Sequence, residues 1–220
     1  MSDSPLSKHT GAIAVAAGAL FALSAVGLFV VFNPSDLAAM VRDPVFQFFS
    51  AAYAIAFPLL LIALVALYSR QAHQAGPLGA VAFCVALTGT VGLAGDMWFE
   101  AFAVPWTIQV APAIVAAERG SVLTAAWLVS VVLFALGWTL FGLSSLRTGA
   151  FPRGLSIAVT VGGVLGYFAA QPPWGLALGL AIAAVGIWLI RNDRVARKIQ
   201  TRVASDPATL ADLAAEARHG

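Results

Sequence analysis

The sequence predicts an all-α protein, a bundle of transmembrane helices that crosses the membrane about six times. Of the 220 residues, 60% are hydrophobic and only 10% are charged, whereas a soluble domain carries roughly 25% charged residues. The charged residues also collect in short gaps between long apolar runs. So few polar residues could not cover such a core in water, and lipid is therefore the predicted solvent for most of the chain.

The membrane domain is predicted at residues 11–190, between a polar N-terminal tail at 1–10 and a basic tail with a short helix at 191–220. The first span covers residues 11–32, which carry no charge. A cleavable signal peptide is the alternative, because Ala-Leu-Ser-Ala at 22–25 resembles a cleavage site. The apolar core of a signal peptide has about 7–15 residues. The apolar run here is longer, so we predict a retained span.

A polar loop at residues 33–46 separates the first span from the second. Asp36 in this loop is a helix-capping signal, so residues 37–42 are predicted to form a short helix at the membrane surface. The second span covers residues 48–68 and contains Pro58. Inside a membrane, neighbouring helices tolerate such a proline as a kink, and the span is therefore predicted to continue through it.

The third span is predicted to start near Pro77, after a hydrophilic gap at residues 69–74. A helix rises about 1.5 Å per residue, so Asp96 lies roughly 29 Å along this span, near the far edge of a hydrocarbon core about 30 Å thick. Glu100 follows one turn later. Residues 104–120 are too apolar for an ordinary loop but contain prolines. They are predicted to form an interfacial or partly re-entrant segment.

The last three spans are predicted at residues 121–146, 154–170 and 174–190, with a tight turn at 171–173. The first three spans show no similarity to the last three, whereas many transporters are built from inverted repeats. Apart from the third span, no span carries an acid or base near mid-membrane, where a proton or ion relay needs one. Both observations argue against a conventional secondary transporter.

Charge asymmetry predicts that both termini lie in the cytoplasm, with the chain in the cell (inner) membrane. Ten Lys and Arg residues fall on the side of the termini, and the opposite loops contain only Arg42 and Arg119. Without the C-terminal tail, four Lys and Arg residues remain on the side of the termini, against two in the opposite loops, so the tail contributes much of the asymmetry. With this orientation, Asp96 and the segment that follows it face outward.

Asp96 and Glu100 are the candidate catalytic residues. They are four apart, so they share one face of a helix. An ionisable residue at membrane depth is costly and indicates a function, and an apolar environment favours the neutral form of a carboxyl group. The pair could therefore serve as proton donor and counter-charge. The alternative is that both acids are solvated among lipid head groups, with Arg42 or Arg119 as partners.

Aromatic and polar residues near the same membrane face are candidate ligand-binding residues. Tryptophan at such a level is most often an interface anchor, and the lining of a cavity mouth is the second interpretation. The candidates are Trp98, Phe102, Trp106, Trp127, Tyr167, Gln171 and Trp174.

No metal site, haem or other cofactor is predicted. The three histidines lie in polar ends or gaps, and Cys84 has no second cysteine to pair with. The chain contains no Gly-x-Ser-x-Gly elbow, no phosphate-binding loop and no histidine box. No basic stripe is interleaved with aromatic residues, so nucleic acid is not a predicted partner. These absences leave open whether the protein is an enzyme.

Three functions are compatible with these patterns, and membrane lipid is a partner in all of them. The first is the handling of a hydrophobic small molecule, lipid or isoprenoid-like, at the outer leaflet, with acid–base chemistry from the two acids. The second is a non-catalytic membrane subunit or scaffold. Gly89, Gly92 and Gly95 recur every three residues and allow close helix approach, either within the bundle or in a homo- or hetero-oligomer. The third is a small-solute transporter.

Residues 100–105 (EAFAVP), 111–113 (APA) and 171–174 (QPPW) resemble segments of uncharacterised small polytopic membrane proteins of high-GC bacteria. The resemblance covers roughly the third and fourth spans and the turn before the sixth, and it implies no known activity. A class-level analogy links Asp96 and Glu100 to small integral membrane terpene cyclases, which are described as protonating isoprenoids with paired acids. The motifs of those enzymes do not align with this chain.

Overall fold

The structure is a computed structural model that describes residues 5–33, 35–111, 113–114 and 120–205, with most side chains between residues 9 and 195. Arg119, a predicted partner of the two acids, and the helix predicted in the C-terminal tail after Asp206 lie outside these residues. The described residues are helical almost throughout and contain no strand, which confirms the all-α class.

The helices differ in length, and several are long enough to cross a membrane. They are α1 (Pro5–Val31), α2 (Leu37–Arg42), α3 (Pro44–Trp98), a π-helical turn (Phe99–Ala103), α4 (Val104–Val110), α5 (Ser121–Thr148), α6 (Arg153–Leu165), a 3-10 turn (Gly166–Phe168) and α7 (Gly175–Ser205). Four helical stretches have the length and apolarity of a span: His9–Val31, Pro44–Val110, Ser121–Thr148 and Gly175–Val195. Arg153–Phe168 is a shorter apolar helix. These stretches identify a membrane protein.

The longest stretch, of 67 residues, folds as two antiparallel arms, 44–75 and 77–110. Its helical geometry breaks at Gly76, where φ is 57° and ψ is −161°, a conformation essentially restricted to glycine. Across the break, the rings of Tyr68 and Phe83 stack with their centroids 4.3 Å apart. The first and second arms correspond to the predicted second and third spans. Counted separately, they bring the described part of the chain to six apolar helical segments, as predicted.

The six segments form a ring around a buried aromatic centre. The order is α1, first arm, second arm, α5, α6 and α7, and α7 packs back against α1. Phe21 of α1 lies 4.7 Å from Tyr53 and 5.1 Å from Phe57, between ring centroids. Phe57 in turn contacts Phe134 of α5 at 5.9 Å, and Trp138 follows one turn further at 6.4 Å from Phe134. These stacked rings tie the first arm to both α1 and α5.

Glycines set the distance between α1 and α7. A Cβ atom at Gly18 would meet the backbone of Gly179, and one at Gly11 would meet that of Gly186. The pairs are seven residues apart on both helices, so they fall on one face of each. Small residues at this spacing let two backbones approach closely in a membrane, where packing rather than hydrophobic exclusion drives helix association.

The predicted glycine row on the second arm packs within the chain at two of its three positions. A Cβ atom at Gly89 would overlap the backbone of Phe134 in α5, and one at Gly92 would meet Ser130. Gly95 has no neighbouring atom within 4 Å of such a Cβ. The close approach of the second arm to α5 therefore depends on the first two glycines and not on the third.

Several helices extend beyond the predicted boundaries, and α1 already begins at Pro5, inside the predicted polar tail. The first arm remains helical through residues 69–74, which were predicted as a hydrophilic gap. α7 runs to Ser205, past the predicted end of the sixth span at residue 190. Each residue added to an existing helix gains a backbone hydrogen bond at little cost. Polar residues that follow a span therefore continue its helix instead of ending it.

Five of the six arginines whose side chains are described gather at one end of the bundle, which we call the basic end: Arg70, Arg147, Arg153, Arg191 and Arg194. Arg70 of the first arm makes a bidentate pair with Asp193 of α7, with Nη1–Oδ1 and Nη2–Oδ2 distances of 3.1 and 2.7 Å. Both side chains are about a third exposed, so the pair adds little to the free energy of folding. It does fix how the first arm meets α7.

A buried polar contact lies next to this pair, at the residue after Arg70, and predicts a measurable coupling. The Ser145 hydroxyl donates to Gln71 Oε1 over 2.9 Å, and Gln71 is fully buried. Its Nε2 has no hydrogen-bond partner among the described residues. Ser145→Ala should lower the free energy of unfolding by roughly 0.6–1.7 kcal/mol, the range for polar contacts between membrane helices. Gln71→Met combined with Ser145→Ala should be at least as stable as the wild type, because neither position then holds an unpaired buried polar group.

A double-mutant cycle in detergent, with unfolding followed by circular dichroism, measures this coupling. Thr148→Val is a suitable reference at the end of the same helix, because its hydroxyl bonds only locally, to the carbonyls of Ser144 and Ser145 and to the backbone N–H of Ala150. If Ser145→Ala and the double variant lose the same stability, Gln71 and Ser145 are not coupled.

Candidate functional site

A cavity of about 250 Å³ lies at the end of the bundle opposite the basic end. Most of its lining is apolar and includes Leu28, Phe32, Met40, Val41, Phe46 and Met97. The polar groups of the lining are Ser50, Tyr53, Asp96, Glu100 and Gln171. Two carboxyl groups therefore share one partly enclosed and mostly apolar space.

Asp96 and Glu100 lie where the second arm changes from α-helical to π-helical geometry. Asp96 is in the last turn of α3, and Glu100 is the second residue of the π-helical turn. In this turn the backbone N–H of Val104 donates to the carbonyl of Phe99, five residues earlier. Such turns are rare inside α-helices and are frequent at functional sites, where they redirect side chains.

Pro105 gives a physical reason for the wider turn. A proline has no N–H to donate, and in a regular α-helix its ring would clash with the carbonyl four residues earlier, at Ala101. The π-helical turn directly before it opens the helix at that point, and the chain continues as α4 to Val110. Within the segment predicted to be interfacial or re-entrant, residues 104–110 thus extend the second arm as a helix.

Helix α2, predicted at residues 37–42, is confirmed with these bounds and covers one side of the cavity. The backbone N–H of Ala39 donates to Asp36 Oδ1 over 2.9 Å, which caps the helix. Met40 and Val41 line the cavity and pack against Val104 and Ile108 of α4. A six-residue helix is too short to be stable alone, so this packing holds α2 over the cavity.

The opposite wall is the non-helical segment after α6. The Tyr53 hydroxyl donates to the carbonyl of Ala169 over 2.6 Å, and both residues are buried. Ala170, Gln171 and Pro172 then line the cavity. Irregular backbone at membrane depth is tolerated only where protein covers it or it borders a cavity, and this segment meets both conditions.

Four of the nine predicted site residues line the cavity: Asp96, Glu100, Trp127 and Gln171. The other five lie on the outside of the bundle, with exposed fractions from 42% to 65%: Trp98, Phe102, Trp106, Tyr167 and Trp174. They surround the same end of the protein as an aromatic collar. Tryptophan and tyrosine favour this position at the boundary between lipid tails and head groups.

Ser50, Tyr53, Met40 and Phe46 line the cavity but were not among the predicted site residues. They come from the first arm and α2, far from Asp96 in sequence. The sequence contains one signal that could have placed three of the first-arm residues on a common face, since Phe46, Ser50 and Tyr53 recur at helical spacing. Their proximity to the second arm depends on the fold-back at Gly76, which the sequence pattern does not specify.

The charges described at this end are mostly negative, and we call it the acidic end. Asp36 and Asp43 cap α2 and α3, and Asp96 and Glu100 line the cavity. Arg42 is the only arginine or lysine among the described residues of this end. The field around the cavity mouth therefore favours a cationic or hydrogen-bond-donating group and disfavours an anion.

Two carboxyl groups beside an apolar wall can bind a polar head and exchange a proton with it. Among the described residues, no three His, Cys, Asp or Glu side chains come together as metal ligands. No protein-family model, no curated protein and no solved structure matches the chain.

Proposed function

We propose that this protein binds the polar end of a hydrophobic ligand, a lipid or isoprenoid-like molecule, in the cavity at its acidic end. In this proposal, Asp96 or Glu100 acts on the ligand as a general acid or base. The observation that supports it is the placement of both carboxyl groups in one mostly apolar cavity. Solvated acids at a helix end would not need an apolar wall around them.

The size of the cavity restricts what it can hold. Pockets for drug-sized molecules usually measure about 300–1,000 Å³, and this one measures about 250 Å³. A whole lipid is too large for it, whereas a head group or one short unit of a chain fits. The remainder of the ligand then stays outside the cavity, among the lipid tails.

The proposed location is the outer leaflet of the cell membrane, with both ends of the chain in the cytoplasm. The described side chains support this orientation, because the basic end carries five arginines and the acidic end carries Arg42 alone. Positively charged loops remain on the cytoplasmic side. The aromatic collar around the cavity marks the level of the lipid head groups.

The proposed chemistry is proton transfer. An apolar environment favours the neutral form of a carboxyl group, and a neutral acid beside the polar end of the ligand can donate its proton to that end. The second carboxylate can then stabilise the positive charge that forms. The two acids lie one helical turn apart, which lets both reach a ligand in the same cavity.

Glu100→Gln should lower the amount of ligand that co-purifies with the protein by about tenfold or more, because it removes a charge-assisted hydrogen bond. Glutamine keeps the size of the side chain, so the cavity should keep its shape. Native mass spectrometry of the detergent-purified wild type and variant measures the bound mass directly. Asp96→Asn should lower it in the same way.

Asp36→Asn is the matched control, because it removes a negative charge from the same end but leaves a side chain that still caps α2. We expect this variant to retain the bound mass. Equal bound mass in Glu100→Gln, Asp96→Asn and the wild type would contradict the proposal and favour the scaffold alternative.

A further inference from the structure

We infer that the basic end binds the head group of an anionic phospholipid in a second cavity. This cavity lies at the other end of the bundle from Asp96 and Glu100, so the inference does not depend on the proposed function. The second cavity measures about 580 Å³. Its lining comes from the end of the first arm, the turn between α5 and α6, and the part of α7 between Trp188 and Val195.

The lining of the second cavity combines apolar and polar side chains. Phe151, Trp188 and Leu189 are apolar, and the ring centroids of Phe151 and Trp188 are 6.2 Å apart. Gln74 and Asn192 carry amide groups, which can donate hydrogen bonds to phosphate oxygens. Trp188 and Leu189 end the apolar run of α7, and Asn192 follows directly after it. The cavity therefore lies where lipid tails meet lipid head groups, the level that tryptophan favours.

The charges around the second cavity attract an anion. Arg70 and Asp193 both line it and form the bidentate pair described above, so the lining carries no net charge. Asp193 is the one acid among the described side chains of the basic end. Four exposed arginines lie within two residues of the lining in the chain: Arg147, Arg153, Arg191 and Arg194. The potential at this cavity is therefore positive, opposite to that at the acidic end.

The last helix extends this basic surface beyond the bundle. α7 remains helical to Ser205. Clusters of about four to eight basic residues directly after a membrane span are typical of anionic-lipid binding. The sequence of α7 after its apolar run contains five: Arg191, Arg194, Arg197, Lys198 and Arg202. The bias of basic residues toward the cytoplasm explains such charges, but it does not require a cavity between them. The cavity and the charges together favour a bound head group.

Native mass spectrometry of the full chain in detergent measures this binding, with dioleoyl phosphatidylglycerol and dioleoyl phosphatidylcholine added in turn. The two lipids have the same chains and one phosphate each, but only phosphatidylglycerol has a net negative charge. We expect phosphatidylglycerol to bind about tenfold more tightly, because arginines close to a membrane surface attract an anionic head group.

Arg194→Gln should weaken the binding of phosphatidylglycerol about fivefold, the effect of removing one basic residue near an anionic head group. Arg42→Gln is the matched control, because it removes an exposed arginine from the acidic end. It should bind phosphatidylglycerol as the wild type does. Asp193→Asn should strengthen the binding, because it removes the acid from the lining of the second cavity.

Gln74→Trp should fill the second cavity without changing a charge and should weaken the binding of phosphatidylglycerol about fivefold. His73→Trp is the control for this change, because His73 is the neighbouring exposed residue on the same arm and lies outside the lining. It should leave the binding unchanged. Size-exclusion chromatography shows whether each variant remains folded.

Equal affinity for the two lipids overturns the inference. Equal weakening by Arg194→Gln and Arg42→Gln does so as well, because binding would then follow total charge and not position. If Gln74→Trp and His73→Trp bind phosphatidylglycerol equally, no head group occupies the second cavity. Displacement of the lipid by an excess of inorganic phosphate would assign the cavity to a soluble phosphate instead. All these results concern the basic end alone, because Glu100→Gln tests the cavity at the acidic end separately.

Discussion

Gly89→Ala should destabilise the protein more than any other single-methyl change on the second arm, whereas Gly95→Ala on the same arm should not destabilise it. At Gly89 the added Cβ would overlap the backbone of Phe134, and at Gly95 it would meet nothing within 4 Å. Backbone atoms cannot rotate away as side chains do, so the second arm and α5 must separate. We expect a loss of about 3 kcal/mol in the free energy of unfolding, the upper end for overpacking.

The contact between the second arm and α5 involves a glycine on each helix, which strengthens the prediction. A Cβ at Gly137 of α5 would overlap the backbone of Ala86 on the second arm. Between the two glycines, Trp138 Nε1 donates to Thr90 Oγ1 over 3.1 Å in the buried core. Moving the helices apart would break this bond as well, so Gly137→Ala should be as harmful as Gly89→Ala.

Unfolding of the purified variants in detergent, followed by circular dichroism, measures both changes. Alanine also has a helix propensity about 1 kcal/mol better than glycine, and Gly95→Ala should therefore be neutral or slightly stabilising. The two substitutions differ only in what surrounds them. If the Gly89→Ala and Gly95→Ala variants have the same free energy of unfolding, the second arm does not approach α5 closely at Gly89.

Ser50→Phe should remove ligand binding without unfolding the protein. Ser50 is half-buried and lines the cavity, so a phenyl ring at this position would occupy much of its 250 Å³. No charge changes, and both acids remain. We expect the co-purifying ligand mass in native mass spectrometry to fall about tenfold or more, because the head group loses its place beside the carboxylates.

Ile62→Phe is the control for this change, because Ile62 is exposed on the same arm and lies outside the cavity lining. It adds a ring of the same size to the lipid-facing surface and should leave the bound mass unchanged. Normal binding by Ser50→Phe would mean that the head group of the ligand is not in the cavity.

The bundle was predictable from the sequence because the signals for it are local. Apolar runs bounded by charged gaps located all six segments, and Asp36 located α2. The ends of α3 and α7 were not predictable in the same way. Residues 69–74 look like a loop because they are polar, but they follow a helix that has no reason to stop before Gly76.

The site was only partly predictable, because it is assembled from segments distant in sequence. Asp96 and Glu100 could be found from their spacing and depth. The sequence could not show that Trp98 and Phe102 point outward, since direction around a helix depends on which face meets the bundle. Tyr53 could not be found either, because its role depends on the distant carbonyl of Ala169.

The pairing of α1 with α7 has a consequence for the order in which the protein assembles. Gly18 can pack against Gly179 only after Gly179 has been synthesised. Synthesis of the residues between them takes about 10–30 s at common translation rates. During that interval α1 can pack against the first arm through Phe21, while its glycine face remains against lipid. The ring therefore cannot close before α7 has been synthesised, and a premature stop before α7 would leave the glycine face of α1 open to pairing with another chain.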